Sequence, residues 1–196
     1  MAKVISTKEK ILKTAIKLFS KKGYLGATTK EIAKEAGIAE VTLFRYFPSK
    51  ENLFEETLSV YSFLPVLKGL LPDLANMPFD KALKIIAHEF LNTLESKKYL
   101  IRIMHSEVSN YPDKVHKIYH NFIEEMIKTL ASFFEEQQKK GILREFNTNS
   151  GAMAFLGMFF SFFNARELHM MKNFKNLDVK KIVEDFIDIF IRGSIK

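Results

Sequence analysis

Between Thr28 and Lys50 the chain gathers side chains that can hold a polyanion and read its donors and acceptors. Thr28 and Thr29 place hydroxyls and amides at a predicted helix start, where backbone N–H groups suit an anion. Glu40, Val41, Thr42, Phe44, Arg45 and Tyr46 follow on a second short helix, and Lys50 lies just beyond it. In a major groove, Arg45 can donate in a fork to guanine, Glu40 can accept from a cytosine amino group, and Val41 can pack on a thymine methyl. Thr42, Tyr46 and Lys50 suit phosphates, which position a helix without reading sequence. Glu40 has a second reading, as a solvated residue or an intrahelical partner.

The elements that must position these groups are legible from caps and periodicity. Ser6-x-x-Glu9 is a capping box, followed by Ile11, Leu12, Ala15, Ile16 and Phe19 on one face and Gly23 as terminator. Thr28-x-x-Glu31 is a second capping box. Ile32, Ala33 and Ala36 form a buried side, and Gly37 turns the chain. The third helix, Ala39 to Tyr46, is too short and polar for a core, with only Leu43 and Phe47 facing inward at i and i+4. Pro48 stops it, because the residue before a proline is pushed out of the helical region. Ser49 caps a fourth helix whose apolar face is Leu53, Phe54, Thr57, Leu58 and Tyr61. A helix, a glycine turn and a helix with exposed aromatics form the helix-turn-helix arrangement that enters DNA.

Charge points the same way. Residues 1–50 hold 11 basic and 4 acidic side chains, an excess equal to the formal +7 of the whole chain, while residues 51–196 hold 19 of each. A polyanion is therefore attracted to one end of the molecule. The alternative, that lysine is merely a good solvated helix residue, would spread the excess along the chain.

The remaining sequence predicts an all-α protein. Nearly half of the residues are apolar, there is no cysteine, and no stretch alternates as a strand does. Without cysteine there is no disulfide framework and no Cys-ligated zinc, which fits a reducing compartment. MAKVISTKEK has no apolar h-region, and the longest uncharged run, Gly151 to Phe163, is shorter than the roughly 20 residues a bilayer requires. A soluble, cytoplasmic protein with no membrane partner is expected. Pro65, Pro72 and Pro78 read as a connection; beyond it come helices at Phe79–Ser96, Lys97–Asn110, Tyr111–Lys140, Asn149–Met171 and Leu177–Arg192. The expected architecture is about nine helices, with a helix-turn-helix domain at 1–50, a connecting helix at about 49–64, and a second domain over 51–196.

Other chemistry is scarce. His116 and His120 have the i, i+4 spacing of metal ligands, but no HExxH motif or nearby carboxylate completes a site, and a solvated helix face is the simpler reading. There is no nucleophile elbow, P-loop or glycine-rich dinucleotide loop, so no enzyme, metal or cofactor is expected.

The run T-T-x-x-I-A-x-x-A-G-I-A-x-x-T-L-F-x-Y-F-P-S-K-E-x-L resembles the DNA-binding signature of the tetracycline-repressor (TetR) family, the match extending from about Ile11 to Phe54. The rest of the chain resembles that family only in its pattern of helices. The resemblance implies that Thr29 contacts phosphate, that Glu40, Val41, Thr42 and Phe44 reach DNA beside Arg45, and that Tyr46 and Lys50 grip the backbone. Two positions depart from it: Ala39 stands where serine is common, removing one phosphate hydrogen bond, and Val41 stands where glycine or another small residue is frequent.

The family also implies a homodimer on adjacent half-sites of a double-stranded operator, its recognition helices roughly 34–36 Å apart. The last two helices are the candidates for the dimer contact, through Phe155, Phe159, Phe160, Phe186, Ile187 and Phe190; ordinary intrachain core is the other reading. The middle helices would enclose a small-molecule effector, apolar or aromatic given the supply of Phe and Met. Candidate walls are Phe90, Leu94, Ile101, Met104, Phe122, Met126, Phe159 and Phe163, with His105, Asn121 and Arg166 as polar anchors. Arg166 can equally be a buried ion-pair partner. The expected function is that of a ligand-responsive repressor. An activator of the same fold is one alternative, the sign depending on where the operator lies. A helical small-molecule carrier or enzyme with a merely solvated basic end is the other.

Overall fold

The computed structural model describes residues 6–169 and 171–196. Its regular structure is helical: α1 (Thr7–Gly26), α2 (Thr29–Ala36), α3 (Glu40–Tyr46), α4 (Lys50–Tyr61), α5 (Phe63–Leu74), α6 (Phe79–Ser96), α7 (Lys98–Glu107), α8 (Asp113–Lys139), α9 (Thr148–Phe163), α10 (Lys172–Lys175) and α11 (Val179–Ser194). A 3-10 turn spans Val108–Asn110, and a π-helical turn, Asn164–Leu168, follows α9. The one isolated bridge among the described residues joins Leu143 to Ile195. The all-α reading is correct.

Two helical segments go beyond the nine expected. The proline-bearing stretch after Tyr61 contains α5, not only a connection. Ser62 Oγ accepts from the Leu64 amide at its start. Pro65 falls in the first turn, where a missing N–H costs nothing, and Pro72 falls near the end. Burial of Phe63, Leu64, Leu67 and Leu74 against neighbouring helices outweighs the weak propensity. The second addition is α10, a single turn in the gap between the helices expected at Asn149–Met171 and Leu177–Arg192; the first of these, α9, ends at Phe163, before the π-helical turn.

The chain forms two compact units. The first comprises the chain through Tyr61 together with Tyr99–Phe122; the second comprises Ser62–Lys98 and Ile123–Lys196. The basic N-terminal helices thus share a core with residues from much later in the sequence. Ile11, Phe19, Ile32, Leu43, Phe47 and Phe54 pack in one buried cluster with Leu100, Met104, Tyr111, Val115 and Ile118. The second unit is built on phenylalanine: the Phe134 ring lies within 6.5 Å, centroid to centroid, of Phe79, Phe133, Phe146, Phe155 and Phe190.

Candidate nucleic-acid interface

The short helix α3 is pinned from behind and open in front. Leu43 and Phe47 have no exposed surface, and the Phe47 amide donates to the Leu43 carbonyl at 2.9 Å. Val41, 62 % exposed, faces outward together with Phe44, Arg45 and Tyr46. Three large apolar or aromatic side chains left outside on one seven-residue helix form a contact surface rather than a core face. Gly37 adopts φ 66° and ψ 39°, the left-handed conformation that sets the angle from α2 into α3. Ala39 begins α3 without a side-chain cap, in keeping with the hydroxyl absent at that position.

The two predicted capping boxes differ in outcome. At α1 both halves form: Ser6 Oγ accepts from the Glu9 amide at 3.2 Å and Glu9 Oε2 accepts from the Ser6 amide at 2.8 Å. At α2 only one half forms. Thr28 Oγ1 accepts from the Glu31 amide at 3.2 Å, but the Glu31 carboxylate pairs with Lys22 Nζ at 2.5 Å. A formal positive charge offers Glu31 more than the Thr28 amide does.

Two of the expected phosphate ligands are engaged within the chain. The Thr29 hydroxyl donates to Glu40 Oε1 at 2.7 Å, tying the start of α2 to the start of α3. Lys50 Nζ lies 4.4 Å from the centroid of the Tyr24 ring and 3.5 Å from the Leu25 carbonyl. Burial lowers the Lys50 pKa below the ordinary lysine range, while the charges of Glu51 and Glu107 oppose that shift. Thr28 and Tyr46 are exposed, and Thr42 is half-buried.

Gly23 kinks α1 rather than ending it, since the helix resumes to Gly26, and Glu107, the last residue of α7, which sequence inspection does not single out, enters the turn at that kink. Its carboxylate accepts from the Tyr24 amide at 3.0 Å and from the Tyr111 hydroxyl at 3.2 Å. It fills the space beside Gly23, whose φ of 73° and lack of a Cβ admit it; any Cβ there would collide with the carboxylate. The Tyr24 hydroxyl in turn donates to Glu51 Oε1 at 3.1 Å. Burial, reinforced by the facing carboxylates, pushes the pKa values of Tyr24 and Tyr111 well above the usual tyrosine range. Gly23 was the sequence signal: it predicts a helix end but does not say which distant group the turn accepts.

The expected effector residues divide between the units. Ile101, Met104, His105, Asn121 and Phe122 belong to the first, where Met104 is core and His105 and Asn121 are exposed. Phe90, Leu94, Met126, Phe159, Phe163 and Arg166 belong to the second. There Phe90 packs on Phe63 at 4.9 Å, and Phe159 packs on Phe155 at 5.1 Å and Phe186 at 5.5 Å. Arg166 Nε lies 3.2 Å from Glu167 Oε1, so it acts as an ion-pair partner. In the adjoining π-helical turn, Asn164 Oδ1 is buried without a hydrogen-bond partner, the one such side-chain atom among the described residues.

The last two helices also divide. Phe155, Phe159 and Ile187 are buried within a single chain, so their side chains serve its own core rather than a surface for a second copy. Phe160, Phe186 and Phe190 are half-buried. Met153 and Ile189 are 59 % and 61 % exposed. An open groove of about 560 Å³ lies among Gly157, Ser161, Phe162, Phe174, Ile182 and Phe186. α9 is therefore apolar all round but covered on one side only. The His116 and His120 rings stack at 6.2 Å, and no group of three potential metal ligands occurs among the described residues. No helix there is long and apolar enough to cross a membrane.

Comparison with known proteins agrees with this geometry. Residues 11–57 match the model for bacterial regulatory proteins of the tetR family, and residues 81–193 match the C-terminal domain of AefR-like transcriptional repressors. The chain belongs to the TetR family of transcriptional regulators. It is 29 % identical over 187 residues to YvkB of Bacillus subtilis, an uncharacterised HTH-type transcriptional regulator, covering 95 % of this chain and 96 % of that one. It is 30 % identical over 144 residues to IcaR of Staphylococcus aureus, the HTH-type negative regulator of the biofilm operon icaADBC, covering 71 % and 75 %. The solved structure of the flavonoid-responsive regulator FrrA superposes with a TM-score of 0.67 at 25 % identity, covering 96 % of this chain and 97 % of that one. This TetR-family chain is a DNA-binding regulator and not an enzyme.

Proposed function

We propose that this TetR-family chain is a cytoplasmic, ligand-responsive repressor that binds a palindromic operator as a homodimer and leaves it when a small apolar or aromatic effector binds. The observation that carries the reading is α3, held by Leu43 and Phe47 while Val41, Phe44, Arg45 and Tyr46 face outward from the most basic part of the chain. Arg45 donates to guanine and Val41 packs on a thymine methyl. Thr28, Thr42 and Tyr46 hold phosphates, and Lys50 braces the turn at Tyr24 from within reach of the backbone. IcaR, a negative regulator, supports repression. FrrA, which responds to flavonoids, supports an aromatic effector, as do the phenylalanine-rich walls around Phe90 and Phe159.

A single helix-turn-helix binds weakly, and two-fold symmetry doubles the contact. The partner meets the uncovered side of α9 and α11, at Met153, Phe160, Phe186, Ile189 and Phe190, while Phe155, Phe159 and Ile187 support that face from below. Selection from random duplexes, followed by titration of the selected duplex at rising salt, tests the function. The expected result is an inverted-repeat sequence bound far more tightly than random DNA, with affinity falling steeply with salt. Ile189→Glu should yield monomers in analytical ultracentrifugation and lose operator affinity. Equal binding of selected and random duplexes at moderate salt would overturn the proposal.

A further inference from the structure

Glu40 is an acid on the surface that meets DNA, and the structure shows what it does before DNA arrives. Thr29 is the first residue of α2 and Glu40 the first of α3. The Thr29 hydroxyl donates to Glu40 Oε1 at 2.7 Å, and both side chains are half-buried. Glu40 forms no ion pair among the described residues, although basic side chains crowd this end of the chain. Three of the lysines at this end pair with other acids: Lys8 with Glu56, Lys17 with Glu35 and Lys22 with Glu31. The Glu40 carboxylate is therefore held by one neutral hydroxyl.

We propose that Thr29 and Glu40 form a toggle that couples reading of one base to capture of one phosphate; this rests on the DNA-binding reading above. A hydroxyl has a single proton to donate. While Thr29 donates to Glu40 it cannot donate to a phosphate oxygen, and the carboxylate beside it repels that phosphate. Thr29 becomes a phosphate ligand only when Glu40 finds another donor. The base-edge donors of the major groove are the amino groups of cytosine and adenine, and cytosine N4 is the usual partner of a carboxylate. Opposite cytosine, Glu40 moves to the base and Thr29 turns to the phosphate, so two bonds replace one. Opposite guanine O6 or thymine O4 the carboxylate meets only acceptors, stays on Thr29, and costs the complex both contacts. Thr29 is thus a positioning residue for Glu40, and Glu40 sets specificity by exclusion as well as by attraction.

The test compares the wild-type chain with Glu40→Gln, Glu40→Ala, Thr29→Val, Thr29→Ser and the Thr29→Val/Glu40→Ala pair. Each is put through selection from a random duplex library, then titrated against the wild-type-selected duplex and a random-sequence duplex of equal length. Glu40→Gln keeps an acceptor, gains a donor and loses the charge, so the selected base should change from cytosine towards adenine, which pairs with an amide through N6 and N7. Glu40→Ala should lose discrimination at that position by about tenfold or more and bind random DNA severalfold more tightly. That gain should shrink in the Thr29→Val background, where no hydroxyl is released, and Thr29→Ser should behave as wild type. A fold defect alone would not change which base is chosen. A wild type that selects no sequence overturns the DNA-binding reading itself. A selective wild type overturns the toggle alone if Glu40→Gln keeps the same base, or if the Thr29 and Glu40 effects on random DNA are independent.

Discussion

All six tyrosines lie in the first compact unit, whereas 14 of the 19 phenylalanines lie in the second. In the first, ring hydroxyls bind carboxylates: Tyr24 on Glu51 and Tyr111 on Glu107. In the second, rings meet rings around Phe134, and the chain's bonds run mostly within single helices and their caps. Directional bonds fix angles, whereas apolar packing fixes volumes. A unit that must present α3 to a rigid duplex needs its angles fixed. A unit of packed rings can exchange one filling for another of similar volume, which suits the proposed response to an effector. This contrast predicts different sensitivities in the two units.

The largest effect is expected in the phenylalanine core. Phe134 has no exposed surface and touches five other rings. Phe134→Ala should destabilise the chain by about 3–5 kcal/mol, read by thermal or urea denaturation followed by circular dichroism. Phe134→Leu, which restores most of the volume, should recover more than half of that loss. If leucine recovers nothing, ring geometry rather than volume holds this unit, and the contrast fails.

Next in size is the carboxylate inside the Gly23 turn. Glu107→Ala leaves the Tyr24 amide and the Tyr111 hydroxyl without their acceptor, a loss of about 1–3 kcal/mol. The chain has no tryptophan, so tyrosine emission reports on the first unit alone and follows this variant directly. Tyr111→Phe keeps the ring and removes one hydrogen bond, and should cost about 1 kcal/mol. A Glu107→Ala variant as stable as wild type would show that the turn is held by packing instead.

Alkaline pH probes the same bonds without mutation. The pKa values of Tyr24 and Tyr111 are raised by burial and by Glu51 and Glu107, and those of Tyr61 and Tyr119 by burial. A group whose folded pKa lies above its unfolded value lends stability that is fully present below the unfolded value, about 10 for tyrosine. Above that pH the unfolded chain releases protons the folded chain keeps, so stability falls as pH rises. The second unit has no tyrosine and does not share this loss. Tyr24→Phe and Tyr111→Phe together should flatten the stability profile above about pH 10, as measured by urea titrations at fixed pH steps. An unchanged slope would remove the tyrosines as its source.

The same contrast explains what could be read from the sequence. Caps, glycine turns and periodicity are local, and they place α1 to α4, α6, α7 and α8 within about three residues at either end. Leu43 and Phe47 as inward residues follow from i, i+4 spacing alone, and α3 as a contact helix follows from what remains. α5 was obscured because two prolines suggest a break, although their positions in the first and last turns leave the helix intact. Glu107 was not legible because the backbone it caps at Tyr24 lies 83 residues away, and nothing local marks an acid that will enter a turn. Phe155 and Phe159 looked like interface residues because an all-apolar helix must be covered everywhere, and periodicity does not say which side its own chain covers.

The smallest effects are expected at exposed ion pairs, and here the first 50 residues separate from the rest of the chain by charge rather than stability. Lys17 Nζ lies 3.3 Å from Glu35 Oε2, with side chains 73 % and 38 % exposed. Arg192 Nε lies 2.7 Å from Asp188 Oδ2, with side chains 78 % and 56 % exposed. Water and salt screen such pairs, so Lys17→Ala and Arg192→Ala should each leave stability close to that of the wild type. Their effects on DNA should differ. Lys17 belongs to the 50 residues that carry the whole excess of +7, whereas Arg192 belongs to the 146 residues whose charges cancel. Lys17→Ala should weaken association at low ionic strength, with the deficit fading as the Debye length shrinks below the distance to the duplex. Arg192→Ala should bind as wild type at every salt concentration. Equal losses from both variants would mean that DNA responds to total charge, and that the electrical division between the two parts of the chain has no part in recognition.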